Sequence, residues 1–251
     1  MKQILDQQYF KSLENLCYEH SFVRRGKTFF RIMNNQVLQV IRFQYERAFN
    51  HYSLNIGLMS MYSRAEHEVF SARCPLATYC ICFLIGHSTA VSIQKHENNM
   101  LSFNVMSPEE QLALLDKIGF DWLDKIQNQM QLRNALFDLD SAINGTILWN
   151  DIWKLAPFLV TEDYQSADKV VSSILYQHAG SQSFPVPPWS PEDYDIYCRL
   201  YPNKDEKFIC MHRWIANQEK EKIREYLLDN YNKNITMGNF ITHNKTGDGK
   251  T

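Results

Sequence analysis

Six cations stand among the aromatic and branched residues of one stretch: Arg24, Arg25, Lys27, Arg31, Arg42 and Arg47. Glu46 is the only acid between Phe22 and Met61. Guanidinium groups on a rigid strand scaffold suit carboxylate or phosphate, because the planar fork offers paired N–H donors to an oxyanion. With adjacent strands paired, Arg31 and Arg42 are expected to converge on one sheet face, with Gln44 and Asn55 as neutral hydrogen-bonding groups beside them. Arg24 completes the candidate binding set of Arg24, Arg31, Arg42, Gln44 and Asn55. Residues 1–106 hold 11 Lys and Arg against 7 Asp and Glu, and residues 107–251 hold 15 against 21. The plain expectation is that two complementary halves dock and the arginines pair with the acidic half. The sharper one is a basic face for an acidic partner.

Other constellations are weaker. Cys74, Cys80, Cys82 and His87 lie close in sequence, but zinc sites present ligand pairs well apart, so these read as structural thiols. Glu66-His67-Glu68 sets its two carboxylates on one side of an extended chain, a pattern common on solvated surfaces. No G-x-S-x-G elbow is present. The final Gly247-Asp248-Gly249-Lys250-Thr251 lacks the upstream glycine of a phosphate-binding loop. Asp138 and Asp140 do not follow the ligand order of a calcium loop. No catalytic residue, metal or cofactor is therefore assigned.

These groups need elements to hold them. Residues Lys2 to Glu19 carry an apolar stripe through Ile4 or Leu5, Tyr9, Leu13, Leu16 and Cys17, which predicts a helix. Strands follow, with Gly26 and Asn34-Asn35 where tight turns want residues that tolerate positive φ. Short connections favour an antiparallel meander. The second half turns helical. Ser107-Pro108-Glu109-Glu110 is a capping box with proline at the first helical position, and Gly119 is a plausible end. A second helix is expected over 121–137, another at Leu148–Leu159 and a fourth from Glu162 to His178. Phe184–Trp189 reads as a proline-rich linker, Ser190-Pro191-Glu192-Asp193 as another helix start, and 208–230 as a single last helix. The fold class is α+β: an N-terminal helix on an antiparallel sheet of about four or more strands, then a mostly helical C-terminal half. Residues 1–106 and 107–242 form these two regions, with 243–251 a flexible tail.

Composition fixes the surroundings. Apolar residues make up 45%, charged residues 22% and aromatics 13% of 251 residues, enough to bury a core. A pI near 6.4 argues against a nucleic-acid partner. The start, M-K-Q-I-L-D-Q-Q, has no leader pattern, and the longest apolar run, Tyr79 to Ile85, is too short to cross a membrane. Six cysteines without a leader read as reduced thiols of a cytoplasmic protein.

The order Phe22-x-Arg24-Arg25-Gly26-x-x-Phe29-x-Arg31, then Gln39-Val40-Ile41-x-Phe43-Gln44, then Leu54-Asn55-Ile56-Gly57 resembles the bacterial family known as domain of unknown function 4304. The resemblance covers roughly residues 5–60 and extends to the Cys74 region and to Gly119-Phe120-Asp121-Trp122-Leu123. It implies a small bacterial α+β protein with no established activity and no catalytic residues to carry over. By analogy with such families it also implies a binding or immunity-type partner in a toxin locus. The leading expectation is a non-enzymatic interaction protein with a protein partner. Two alternatives stay open. One is a small-molecule or phosphate-ester enzyme in which Arg42, Gln44 and Asn55 meet His67 or Glu66. The other is a homodimer assembled through exposed aromatics.

Overall fold

Two tight turns fold the strand block back on itself. Gly26, at φ 62°, takes the first central position of the loop joining β1 (Val23–Arg25) to β2 (Thr28–Met33). Asn34 and Asn35, at φ 48° and 58°, lead from β2 to β3 (Val37–Glu46). Asparagine enters this region at low cost. With β4 (His51–Ser60) and β5 (Ile81–Ile85) the strands form one sheet in the order β1-β2-β3-β4-β5, every neighbour antiparallel. The computed structural model describes residues 2–46, 51–63, 81–85, 107–144, 154–179, 190–200 and 206–243.

The expected N-terminal helix is α1 (Lys2–Glu19). After β5 the described chain is helical. It runs through α2 (Pro108–Leu114), a π-helical turn (Leu115–Gly119), α3 (Phe120–Asp124), α4 (Gln129–Asn144) and α5 (Leu155–Val160). Then come α6 (Tyr164–Ala179), α7 (Pro191–Leu200), α8 (Glu206–Ala216) and α9 (Lys220–His243). The chain is therefore α+β, as its patterning predicts.

Alternation along the strands decides which residues meet the helices. Phe29, Val37, Ile41, Phe43, Leu54, Ile56 and Leu58 share one sheet face. They pack with Tyr9, Leu13 and Cys17 of α1, and with Leu114, Leu115, Phe120, Leu123 and Leu132 from beyond residue 107. Burying each such side chain contributes roughly 1.5–3 kcal/mol, which outweighs the modest helix propensity of α1 as the reason it docks. The opposite face is also closed to solvent at Phe30, Leu38, Val40 and Met59. A second cluster joins α5, α6, α8 and α9 through Phe158, Val171, Leu175, Met211 and Ile223. Asn234 of α9 ties it to the sheet: its buried amide donates to the Met61 and Ser63 carbonyls, 2.7 Å each.

Helix ends follow the sequence at some points and depart from it at others. Ser107 and Glu110 form the expected reciprocal cap, and Ser190 and Asp193 repeat it. Gly119, expected to end its helix, instead lies inside a continuous helical run. A Cβ there would come within 2.8 Å of Leu115 Cδ1 one turn back, so the missing side chain leaves room for Leu115 rather than stopping the helix. The helix expected over 121–137 is interrupted between Asp124 and Gln129. The single last helix expected over 208–230 is likewise two, α8 and α9. Gln218 turns the chain at φ 55°, with Gln218 N–H donating to the Ile215 carbonyl and Glu219 N–H to that of Trp214. That paired bonding is a Schellman motif. Ser21 at φ 63° ends α1 and Glu162 at φ 56° ends α5 in the same way.

Several expectations lie outside the described residues: Arg47, the Glu66–Glu68 trio, Cys74, Cys80, His87, the proline-rich 184–189 and the tail 244–251. Among the described residues no cluster of His, Cys, Asp or Glu could hold a metal, and no helix is long and apolar enough to cross a membrane.

Candidate functional site

Arg31 points from β2 into the seam between α1, the sheet and α3. Its Nε and Nη2 donate to Gln39 Oε1 at 3.0 and 2.6 Å, and Nη1 donates to the His20 carbonyl at 2.9 Å. Nη2 also lies 2.7 Å from Asp124 Oδ1, and the guanidinium carbon sits 4.5 Å above the Phe22 ring. The side chain is 9% exposed. Gln39, directly across the ladder, passes the chain of bonds on: its Nε2 donates to the Leu123 and Ile126 carbonyls at 2.7 and 3.0 Å. Carbonyls at helix ends lack intrahelical donors, and cations are favoured there. Arg31 and Gln39 supply both needs, closing α1 at His20 and the end of α3 at Leu123. The cation therefore serves docking between the basic and acidic halves.

Arg24 is committed nearby. Its Nη1 meets Glu14 Oε1 of α1 at 2.6 Å, its Nε donates to the Gly26 carbonyl at 2.9 Å, and its guanidinium lies 4.8 Å over Phe10. Burial alone would raise the Glu14 carboxyl. Hydrogen bonds from Arg24 and Tyr18, with the Arg24 charge, outweigh it and hold the group below its usual value. Burial pushes the Cys17 thiol up, despite Arg31 nearby, so it is an inert core group.

The expected convergence of Arg31 and Arg42 does not occur. Arg31 pairs with Gln39, whereas Arg42 pairs with Thr28 and Asn55. Gln39 and Arg42 are three residues apart on one strand, and strand side chains alternate, so the two arginines belong to opposite faces. Arg31 lies on the face covered by α1. Arg42, Asn55 and Gln44 share the other, with Gln44 two residues along from Arg42 and paired with Ser53. Register also adds to the candidate set Arg25, one of the six cations, and Thr28, which the sequence did not flag. Arg25 pairs with Thr28, so a single row crosses four strands as Arg25, Thr28, Arg42 and Asn55. Arg25 is exposed, Arg42 half-buried and Thr28 buried. Knowing the strand pairing is the signal that finds this row; composition alone cannot.

A third polar group lies in the helical half. His212 Nε2 on α8 is 3.2 Å from Ser172 Oγ and 3.3 Å from Asp168 Oδ1 on α6. The three residue types match a hydrolytic triad, but the geometry does not. A triad sets the carboxylate on one ring nitrogen and the hydroxyl on the other, whereas here both address Nε2. Burial lowers the His212 pKa, with the Asp168 charge opposing it.

No protein-family model, curated protein or solved structure matches the chain. The resemblance to domain of unknown function 4304 rests on its quoted residues alone.

Proposed function

We propose that this is a cytoplasmic, non-enzymatic interaction protein that binds a protein partner through the sheet face bearing Arg42, Gln44 and Asn55. The observation that carries the reading is the register: Arg42 lies directly beside Asn55, with Gln44 two residues along on the same face. A strip of cation and amide groups on a sheet recognises acidic side chains and backbone carbonyls with fixed geometry. An immunity-type role in a bacterial toxin locus fits the resemblance and is part of the same proposal. The enzymatic alternative needs His67 or Glu66 beside this strip, and both lie outside the described residues.

The test is capture of the partner from native lysate by the full chain and by Arg42→Glu and Arg42→Gln, with a urea melt of each variant. Recovery by wild type and loss by a folded Arg42→Glu supports the reading. Equal recovery by both sinks it.

A further inference from the structure

The inward stripe of α9 changes chemistry along its length. Ile223 and Leu227 join the helical core, and the same stripe then carries Asn230 and Asn234, 6% and 0% exposed. Asn234 Nδ2 is spent on the Met61 and Ser63 carbonyls. Around that contact three buried polar atoms have no hydrogen-bond partner among the described residues: Asn230 Nδ2, Asn234 Oδ1 and Ser63 Oγ. The Tyr62 and Tyr231 rings, stacked with centroids 4.7 Å apart, pack the same two segments together beside them. Buried polar groups are nearly always paired with protein or with ordered water, because an orphan forfeits its hydration for nothing.

We propose that Asn230, Asn234 and Ser63 hold one internal water molecule between α9 and the segment leaving β4. The water accepts from Asn230 Nδ2, donates to Asn234 Oδ1 and bonds Ser63 Oγ, a hydroxyl that can take either role. Side chains four residues apart on a helix have Cβ atoms about 5–6 Å apart, a span that two hydrogen bonds of about 2.8 Å cover when they meet at one oxygen. Buried waters make about three hydrogen bonds, the number offered here. An ion does not suit the site: all three groups are neutral, and a buried charge needs an opposite one. The water completes the network through which Asn234 docks α9 on the sheet, and it is independent of the partner-binding reading.

Oxygen-17 magnetic relaxation dispersion counts water molecules held longer than the protein tumbles, and it is blind to hydroxyl proton exchange. Applied to the full chain, it should show the amplitude of one long-lived water lost in Asn230→Leu, which removes a donor and fills the space with methyl groups. A urea melt confirms that the variant is folded. An unchanged amplitude in folded Asn230→Leu overturns the site. If that variant does not fold, a high-resolution crystal structure of the wild-type chain decides. Expected is one ordered water within hydrogen-bonding distance of Asn230 Nδ2, Asn234 Oδ1 and Ser63 Oγ. No water density there, or Asn230 Nδ2 bonded directly to Asn234 Oδ1, overturns it.

Discussion

Replacing Arg31 by methionine keeps length and apolar bulk while removing every guanidinium donor of the seam. Gln39 Oε1 then loses both of its guanidinium bonds. Gln39 is fully buried, so its acceptor is left unsatisfied, at a cost of about 1–3 kcal/mol. Breaking a fully buried ion pair costs about 3–5 kcal/mol. Asp124 is 45% exposed and recovers water, so only a minor part of that applies. The His20 carbonyl loses its donor at 2.9 Å, a further loss of about 1 kcal/mol. The total is about 3 kcal/mol, a large share of the stability of an ordinary domain. Urea unfolding followed by far-UV circular dichroism measures it, with the slope checked so that the midpoint reports stability. Arg31→Lys recovers little, because an ammonium cannot span Gln39, His20 and Asp124 as the fork does. A loss under about 1 kcal/mol for Arg31→Met refutes the argument that this cation holds the two halves together.

Two further outcomes follow from buried polar groups. Asn234→Leu strips donors from the Met61 and Ser63 carbonyls and should cost about 2–3 kcal/mol, with faster amide exchange in α9 than in β3 by native-state hydrogen exchange. Burial holds the His212 pKa below its ordinary value of 6.5, so at lower pH the unfolded chain takes up a proton before the folded one. Stability from this group is whole above that value and is lost as pH falls through it towards the folded pKa. His212→Gln should flatten this part of the profile in urea melts from pH 7.5 to 5.

Features made by neighbours in sequence were legible from it. The Ser107–Glu110 cap and the Asn34-Asn35 turn depend on a few contiguous residues, and both stand as expected. The sheet and α1 were legible because apolar periodicity is set by the face each residue must bury. Helix ends made by Ser21, Glu162 and Gln218 were not. Each takes positive φ at a cost of about 1–2 kcal/mol without the glycine that usually marks such ends. Gly119 misled for the opposite reason: its missing side chain makes room for the packed Leu115 side chain one turn back, a packing need that local pattern does not reveal. The arginine set was visible as composition, but its division depended on parity within β3. One odd interval, from Gln39 to Arg42, separates a cation that closes the end of α1, and through Gln39 that of α3, from one on the opposite face.

The central claim is that the Arg42 face engages an acidic protein partner. The dissociation constant of the captured partner for wild type and for Arg42→Glu tests it most directly. The account predicts at least about tenfold weaker binding for a variant that keeps its urea midpoint, with the wild-type complex weakening as salt is raised. Equal affinity of a folded Arg42→Glu would contradict it.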